Sequence, residues 1–516
     1  MILEPVIMHR ANTIISKLKD GSSGWDQISS LVVKNTYESF LLPLTHIMNV
    51  SILNGVFPNE MKIAKVIPIF KAGDNMMMSN YRPVSVLPIF SKVLERLMYT
   101  RLIAFINDNR LLYKFQFGFR EAHSPNLAII YLVDKISTAL EEGDYVLGLF
   151  LDFSKAFDTV NHDILFDKLE FYGIRGTAHS WFKSYFDSRE QYVVFHDVES
   201  SRRRISCGVP QGSILGPLLF LLYINDLASV SDKLFSLLFA DDSNMFLSGK
   251  DPNLLIESMN VEMRKVMKWL KINKLSLNLK KTHYILFRKR RKKVSLDKTL
   301  IVDDVNIENV QQSKFLGVII DQCLTFYNHI QYMKGKIARA VGILYKCRKF
   351  FNKSTLITLY NAFIYPYFYY CIPVWGNTYN SYLQPLIKLQ KRVIRFANAD
   401  FRASSEPIFK ELKILNLSKL HVYSVQLFVY NYVQEHLPDI FEKFFTQNSS
   451  VHSHFTRQSN HFHVPIVHSS QANKIIRCFG VKCYNYFESR LDMNCSYICY
   501  KKHLKYFLIN NDIPFS

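Results

Sequence analysis

Cysteine is scarce in this sequence: 8 among 516 residues, scattered along the chain. That excludes a disulfide-stapled scaffold and points to a reducing, intracellular compartment, nuclear or cytoplasmic, with no secretion. Residues 1–20 supply no secretion address either, because Glu4, Pro5 and His9 interrupt any apolar core and no small-residue cleavage site follows. Glycine (18) and proline (17) are sparse, and 48% hydrophobic against 21% charged residues excludes a collagen-like or disordered chain. Long unbroken apolar runs are also missing. Residues 205–225 are interrupted by Gly208, Pro210, Gln211 and Gly212, and residues 354–387 by Asn361, Pro366, Pro373, Gly376 and Asn377. Both read as buried segments and not as membrane spans. Negative charge is the scarcer sign, with 43 Asp and Glu against 64 Lys and Arg, a net +21. What the chain has in quantity is flat rings, 40 Phe and 29 Tyr. A folded chain this basic and aromatic fits a polyanionic partner, most simply nucleic acid. Its length suggests about three domains.

No internal repeat stands out. Residues 1–50 read as helical with a polar break at 20–24; residues 62–71 read as an exposed strand, 74–79 as a loop, and 88–107 and 127–140 as helices. Residues 145–151 (YVLGLFL) form a short apolar run closed by Asp152, the pattern of a buried strand. Residues 234–240 repeat the pattern, 243–247 read as the return strand, and Asp241-Asp242 as the hairpin turn between them. Residues 314–320 are a third apolar run. Helical segments separate these strands, so the sheet part is α/β or α+β. Beyond about residue 325 the chain turns helical and basic. Lys388, Lys391, Arg392 and Arg395 recur at i, i+3, i+4 and i+7, which puts four cations on one helix face. The run RKRRKK at 288–293 reads as a phosphate-touching loop, a nuclear address or a solvated loop.

Two acidic sites dominate. Asp152 and the Asp241-Asp242 pair each follow a strongly apolar strand, where charge is costly unless a cation compensates. Divalent metal does this well, and two such ions about 4 Å apart can activate an attacking oxygen and stabilise a leaving one in phosphoryl transfer.

Nine short blocks occur in an order that carries a resemblance: GSSGWDQIS (21–29), KIAKVIPIFKAGD (62–74), NYRPVSVLPIFSKVLERL (80–97), QFGFREAHSPNLAI (116–129), LDFSKAFDTVNHDIL (151–165), GVPQGSILGPLLFLLYINDL (208–227), FADD (239–242), LSLNLKKT (275–282) and FLGVIID (315–321). The chain resembles the reverse transcriptase of non-long-terminal-repeat retrotransposons, close to the jockey-like group, well over residues 20–321 and more loosely beyond. The resemblance implies an α+β right-hand polymerase: a helical extension at 1–50, fingers and palm at 51–321, a basic helical thumb at 322–400, and a mostly helical region of uncertain role at 401–516. It implies an RNA-directed DNA polymerase using two Mg2+ ions, or Mn2+ in their place, with an RNA template, a DNA primer and deoxynucleoside triphosphates as partners.

Residue by residue, the resemblance makes Asp152, Asp241 and Asp242 the catalytic carboxylates, with the carbonyl of Phe153 completing the metal shell. Lys71 and Arg82 match the holders of the triphosphate, with Lys65 the rival of Lys71. Phe157 matches the aromatic beneath the incoming sugar, and Asp158 reads as structural. Gln211 and Gly212 match the nucleotide corner, and Lys281, with Lys280 its rival, the aid to the leaving pyrophosphate. Phe315, Leu316 and Gly317 resemble the turn that grips the primer end. The cations at 388, 391, 392 and 395 would face the duplex backbone.

Departures are mild: Phe153 and Phe239 stand where Leu and Tyr are common. Relatives of this kind carry an endonuclease ahead of the polymerase, and residues 1–20 are too few for one. The expectation is therefore a fragment, a truncated copy or a product nicked for by another chain. Cys478, Cys483, Cys495, Cys499 and His503 have a spacing that matches no familiar zinc module and read as isolated buried cysteines. The alternatives are a catalytically silent nucleic-acid-binding derivative and a maturase-like RNA-binding protein. Nothing in the sequence sets an oligomeric state.

Overall fold

The strand Tyr145–Leu151 is buried from end to end because it lies at the centre of a five-stranded sheet. Its neighbours, in order across the sheet, are Glu308–Asn309 and His283–Phe287 on one side, and Asp242–Gly249 and Phe235–Phe239 on the other. The computed structural model describes residues 1–516 except 2–3, 7, 399–401, 452–460, 471 and 516. The expected border between 400 and 401 lies outside the described residues.

Alternation along the strands divides the molecule into two cores. Leu147, Leu149 and Leu151 face a core with the helices Ser30–Asn54, Ile89–Asp108, Thr177–Phe186, Gly216–Ile224 and Pro252–Ile272. Val146 and Phe150 face a second core with Pro125–Glu141, Tyr327–Cys347, Asn380–Ala397, Leu417–Val433 and Ile476–Phe487. A run apolar at every position is what a strand covered on both faces requires. Helices and mostly antiparallel sheets occupy separate layers, so the fold is α+β.

A second sheet stands apart. Ile63–Phe70 pairs antiparallel with Tyr81–Val86 and parallel with Glu190–Phe195. The hairpin joining its first two strands closes with the Lys71 amide donating to the Asn80 carbonyl at 2.9 Å. The helix Ser30–Asn54 starts on its cap at Ser29, whose hydroxyl accepts from the Val32 amide, and runs past the expected border at residue 50.

Two local expectations are corrected. The turn expected at Asp241-Asp242 lies one residue earlier, at Ala240-Asp241, because Asp242 already pairs with Phe239 as the first residue of the return strand. The apolar run 314–320 is not one strand but a separate hairpin, Gln312–Phe315 against Val318–Asp321. Leu316 and Gly317 turn it with φ of +43° and +86°, the pair of positive angles a tight two-residue turn needs. The basic run at 288–293 is irregular and partly absorbed by the protein: Lys289 and Lys292 reach the carbonyls of Glu141 and Gly143, at the end of Pro125–Glu141.

No helix among the described residues is long and apolar enough to cross a membrane.

Candidate active site

Asp152 leaves the end of the central strand, and Asp242 begins the strand beside it. The ladder pairs Leu151 with Ser243, so the next rung brings Asp152 opposite Asp242. Asp241, in the turn, completes the group. Asp152 is fixed through its backbone, its carbonyl accepting from the Asn278 amide at 2.7 Å. A single bridge between Phe153 and Leu277 follows. It is flanked by this bond and by the Ser154 amide to the Ser276 carbonyl at 2.9 Å. The Phe153 carbonyl takes no part in either bond.

The acidic turn is held from below. Gln116 accepts from the Ala240 amide at 3.0 Å and from the Gly118 amide at 2.8 Å through the same oxygen. Ala240 has φ of +56°, a left-handed conformation that costs a non-glycine residue about 1–3 kcal/mol and gathers at functional sites. Gly118 is required here: a Cβ on it would lie 2.3 Å from the Ala240 nitrogen.

Burial, then Asp241 and Asp152, push the Asp242 carboxyl up to about 6. Asp241 is raised chiefly by burial, with Asp152 adding to it and Arg82 and Lys71 pulling the other way. Both residues are exposed by surface area, yet the protein packed around them displaces enough water to penalise their charge. The three carboxylates interact electrostatically, although their oxygens do not all lie within 4.8 Å of one another; a set of oxygen donors is the kind that suits a hard divalent cation.

A cleft of about 1150 Å³ opens in front of Asp241. Lys71, Arg82, Phe157, Asp158, Gln211 and Gly212 line it, each named from sequence, together with Lys155 and Phe119, which were not. Lys71 is on the wall of the cleft and its rival Lys65 is not. Lys281 sits 3.9 Å from Asp152 across an ion pair, which distinguishes it from Lys280. Phe157 is stacked on the buried Phe220, ring centroids 4.3 Å apart, with Phe119 edge-on at 6.3 Å. Asp158 accepts from the Gln211 side chain at 2.7 Å. Gly212 has φ of +131°, and a Cβ would lie 2.3 Å from the Ser85 carbonyl oxygen. The Ser85 amide donates to the Gln211 carbonyl at 2.7 Å. The strand carrying Arg82 is therefore bonded directly to the loop carrying Gln211.

Sequence reasoning missed two positioning residues. Glu95 is fully buried in the helix Ile89–Asp108 and accepts from the Ile214 amide at 2.6 Å and the Tyr185 hydroxyl at 3.0 Å, which anchors the Gln211 loop. It lies within a quoted block, where an acidic residue on a helix gave no sign of burial. Tyr370 donates to the Leu316 carbonyl at 2.6 Å and its ring fills the space beside Gly317. Phe315 is buried and Leu316 half-buried, so the hairpin exposes its turn at Gly317. Lys388, Lys391, Arg392 and Arg395 share one helix but lie away from the cleft. Arg392 and Arg395 line a smaller cavity of about 300 Å³ with Tyr345 and Phe396, and Arg395 is engaged by the Ala403 carbonyl at 3.0 Å.

Residues 69–320 match the family model described as "Reverse transcriptase (RNA-dependent DNA polymerase)". The chain is similar to the "Probable RNA-directed DNA polymerase from transposon X-element" of Drosophila melanogaster, 27% identical over 414 residues, 78% of this chain and 45% of that protein. It is likewise similar to the "RNA-directed DNA polymerase from mobile element jockey" of the same organism, 27% identical over 80% of this chain and 46% of that one. The "Probable RNA-directed DNA polymerase from transposon BS", also of that organism, is 28% identical over 76% and 45% respectively. The chain spans about half the length of these curated relatives.

Proposed function

We propose, from the match of residues 69–320 to the reverse transcriptase family model and the similarity to the jockey, X-element and BS transposon proteins, that this chain is an RNA-directed DNA polymerase extending a primer 3′-OH with deoxynucleotides. The observation that carries the proposal is the gathering of Asp152, Asp241 and Asp242 beside a cleft in which Lys71 and Arg82 act on Asp241. The separate sheet and the helices around it serve as fingers, the five-stranded sheet as palm, and the basic helices from 322 to 400 as thumb.

Asp152, Asp241, Asp242 and the Phe153 carbonyl would hold the divalent ions, two Mg2+ or Mn2+, which would supply positive charge for activating the hydroxyl and easing the departure of pyrophosphate. The chain's own residues do the rest. Lys71 and Arg82 bind the triphosphate, Arg82 with a planar fork and Lys71 as a point charge. Phe157, its ring backed by Phe220, serves as the aromatic beneath the incoming sugar, where a flat bulky ring would exclude a ribose 2′-OH and favour deoxynucleotides. Gln211, oriented by Asp158, and Gly212 frame the nucleotide. Lys281 stabilises charge on the leaving group from beside Asp152. The turn at 315–317 holds the primer end, and the basic face at Lys388, Lys391, Arg392 and Arg395 tracks phosphates.

Primer extension on an RNA template tests the assignment. Asp152→Asn and Asp241→Asn should each abolish extension and leave template binding nearly unchanged; extension surviving either change refutes it. Template affinity of the wild-type chain should fall steeply with salt, and the Lys388→Ala, Arg392→Ala double variant should lower the slope of log K against log salt by about 1–2. An unchanged slope removes that helix from the interface.

A further inference from the structure

The last helix, Tyr497–Asn510, packs against Leu417–Val433 through stacked rings of Tyr500 and Tyr430, centroids 4.3 Å apart. The turn that leads into it is tightly built. Asp492 accepts from the Asn494 amide at 2.9 Å, the Tyr430 hydroxyl donates to the Cys495 carbonyl at 2.5 Å, and the Gln434 side chain donates to the Met493 carbonyl at 2.8 Å. Cys495 is thus fixed by a neighbouring helix before the last helix begins. Cys499 and His503 follow at intervals of four, which puts them on one helix face above it.

The structure separates residues that the sequence reading grouped together. Cys478 and Cys483 are buried in the helix Ile476–Phe487 and behave as core side chains, as expected. Cys495 and Cys499 are only half-buried and His503 is exposed, which corrects the reading of all the cysteines as isolated and buried. One ligand atom from each of Cys495, Cys499 and His503 lies within 4.8 Å of the other two. The Cys499 sulfur is 3.7 Å from Nε2 and 3.8 Å from Nδ1 of His503. With zinc–sulfur bonds of about 2.3 Å and zinc–nitrogen bonds of about 2.0–2.1 Å, neighbouring sulfur and nitrogen ligands of a tetrahedron are about 3.6 Å apart. The distance to Nε2 matches that spacing, and a turn of the exposed His503 ring, whose two nitrogens now face the sulfur almost equally, would aim one of them at a shared ion.

We propose that Cys495, Cys499 and His503 bind a zinc ion, with water from the open side as the fourth ligand, and that the ion ties the turn at residue 495 to the last helix. Two thiolates and an imidazole select zinc over magnesium, whereas the all-oxygen set at Asp152, Asp241 and Asp242 selects the harder ion. The two sites therefore sort metals by chemistry within one chain. Binding releases one proton from each thiol.

Full-length protein, reduced and stripped of metal, is titrated with Co2+ and then with Zn2+. The wild-type chain should develop the thiolate-to-cobalt charge-transfer band and the strong visible absorption of a tetrahedral site, and Zn2+ should bleach both. Cys499→Ser should lose at least half of the charge-transfer intensity and His503→Ala should weaken cobalt binding and the tetrahedral visible absorption, each with an unchanged far-ultraviolet circular dichroism spectrum. Cys207→Ser, at an exposed cysteine far along the sequence, and Asp152→Asn should retain both features. Absence of a thiolate band in the reduced wild-type chain overturns the proposal. So does a band of undiminished intensity in Cys499→Ser, or zinc that cannot displace cobalt. None of these outcomes bears on primer extension, so the site stands or falls separately from the polymerase reading.

Discussion

Asp242 bears a conflict that function imposes. Its carboxyl is raised to about 6 by burial and by the neighbouring Asp241 and Asp152, whereas the unfolded chain releases that proton near the usual carboxylate value of about 4. Between those two values the folded state holds the proton more tightly, so folding stability falls as pH rises through the interval. Above about pH 6 the penalty is fully present; below about pH 4 it is gone. Asp242→Asn removes one of three crowded charges. In metal-free protein it should therefore raise the thermal midpoint at pH 7–8, with the gain vanishing below about pH 4, while primer extension is lost. Scanning calorimetry with a chelator across that range measures it; a variant no more stable than wild type at pH 8 would show that the carboxylates do not repel. A site that costs stability and gives function is the usual sign of catalytic residues.

At the scale of elements, the strands were legible and their turns were not. The run at 145–151 reads as a buried strand because a strand covered on both faces needs no polar alternation, and Asp152 is conspicuous for the same reason. The turn after Phe239 was misplaced by one residue because nothing local favours Ala240 in a left-handed conformation. The support comes from Gln116, 124 positions earlier. The turn at 316–317 was named through the resemblance but was invisible to the hydrophobic pattern, because Leu316 is an apolar residue in an apolar run and its carbonyl is held by Tyr370, 54 positions later. Glu95 was invisible as an anchor because burial of a carboxylate depends on partners from two other elements. Residues that line the cleft were named from the ordered blocks; the contacts that hold those blocks in place, Glu95 and Gln116 among them, were not legible. Tyr370→Phe tests one such holder. Losing a hydrogen bond worth about 1 kcal/mol should weaken primer binding by about fivefold at most and leave the KM for deoxynucleotides unchanged. A change in nucleotide KM instead would place the hairpin elsewhere in the cycle.

At the scale of the whole molecule, the helices beyond residue 401 are joined to the back of the central sheet. Arg477 grips Asp134 in two parallel contacts, Nε to Oδ1 at 3.0 Å and the second guanidinium nitrogen to Oδ2 at 2.7 Å, with the Asp134 side chain 6% exposed. Removing Arg477 leaves the buried Asp134 carboxylate unpaired; because the Arg477 side chain is itself 36% exposed, the cost falls below the roughly 3–5 kcal/mol of a fully buried pair. Arg477→Ala should therefore lower the denaturation midpoint markedly, and Asp134→Leu combined with Arg477→Met should recover most of the loss. Chemical denaturation of the single and double variants distinguishes the two. Equal loss in both would mean that packing, not pairing, holds the helices there.

One core joins the sheet's Val146 and Phe150 to Tyr430, Phe479 and Leu504 near the far end of the chain. A stop codon introduced at residue 405 would spare every carboxylate and cation of the cleft and still strip one wall from that core. The shortened product should accumulate as insoluble aggregate, so a mutational survey of this chain should find nonsense changes in its last hundred residues as damaging as those that delete the acidic turn itself.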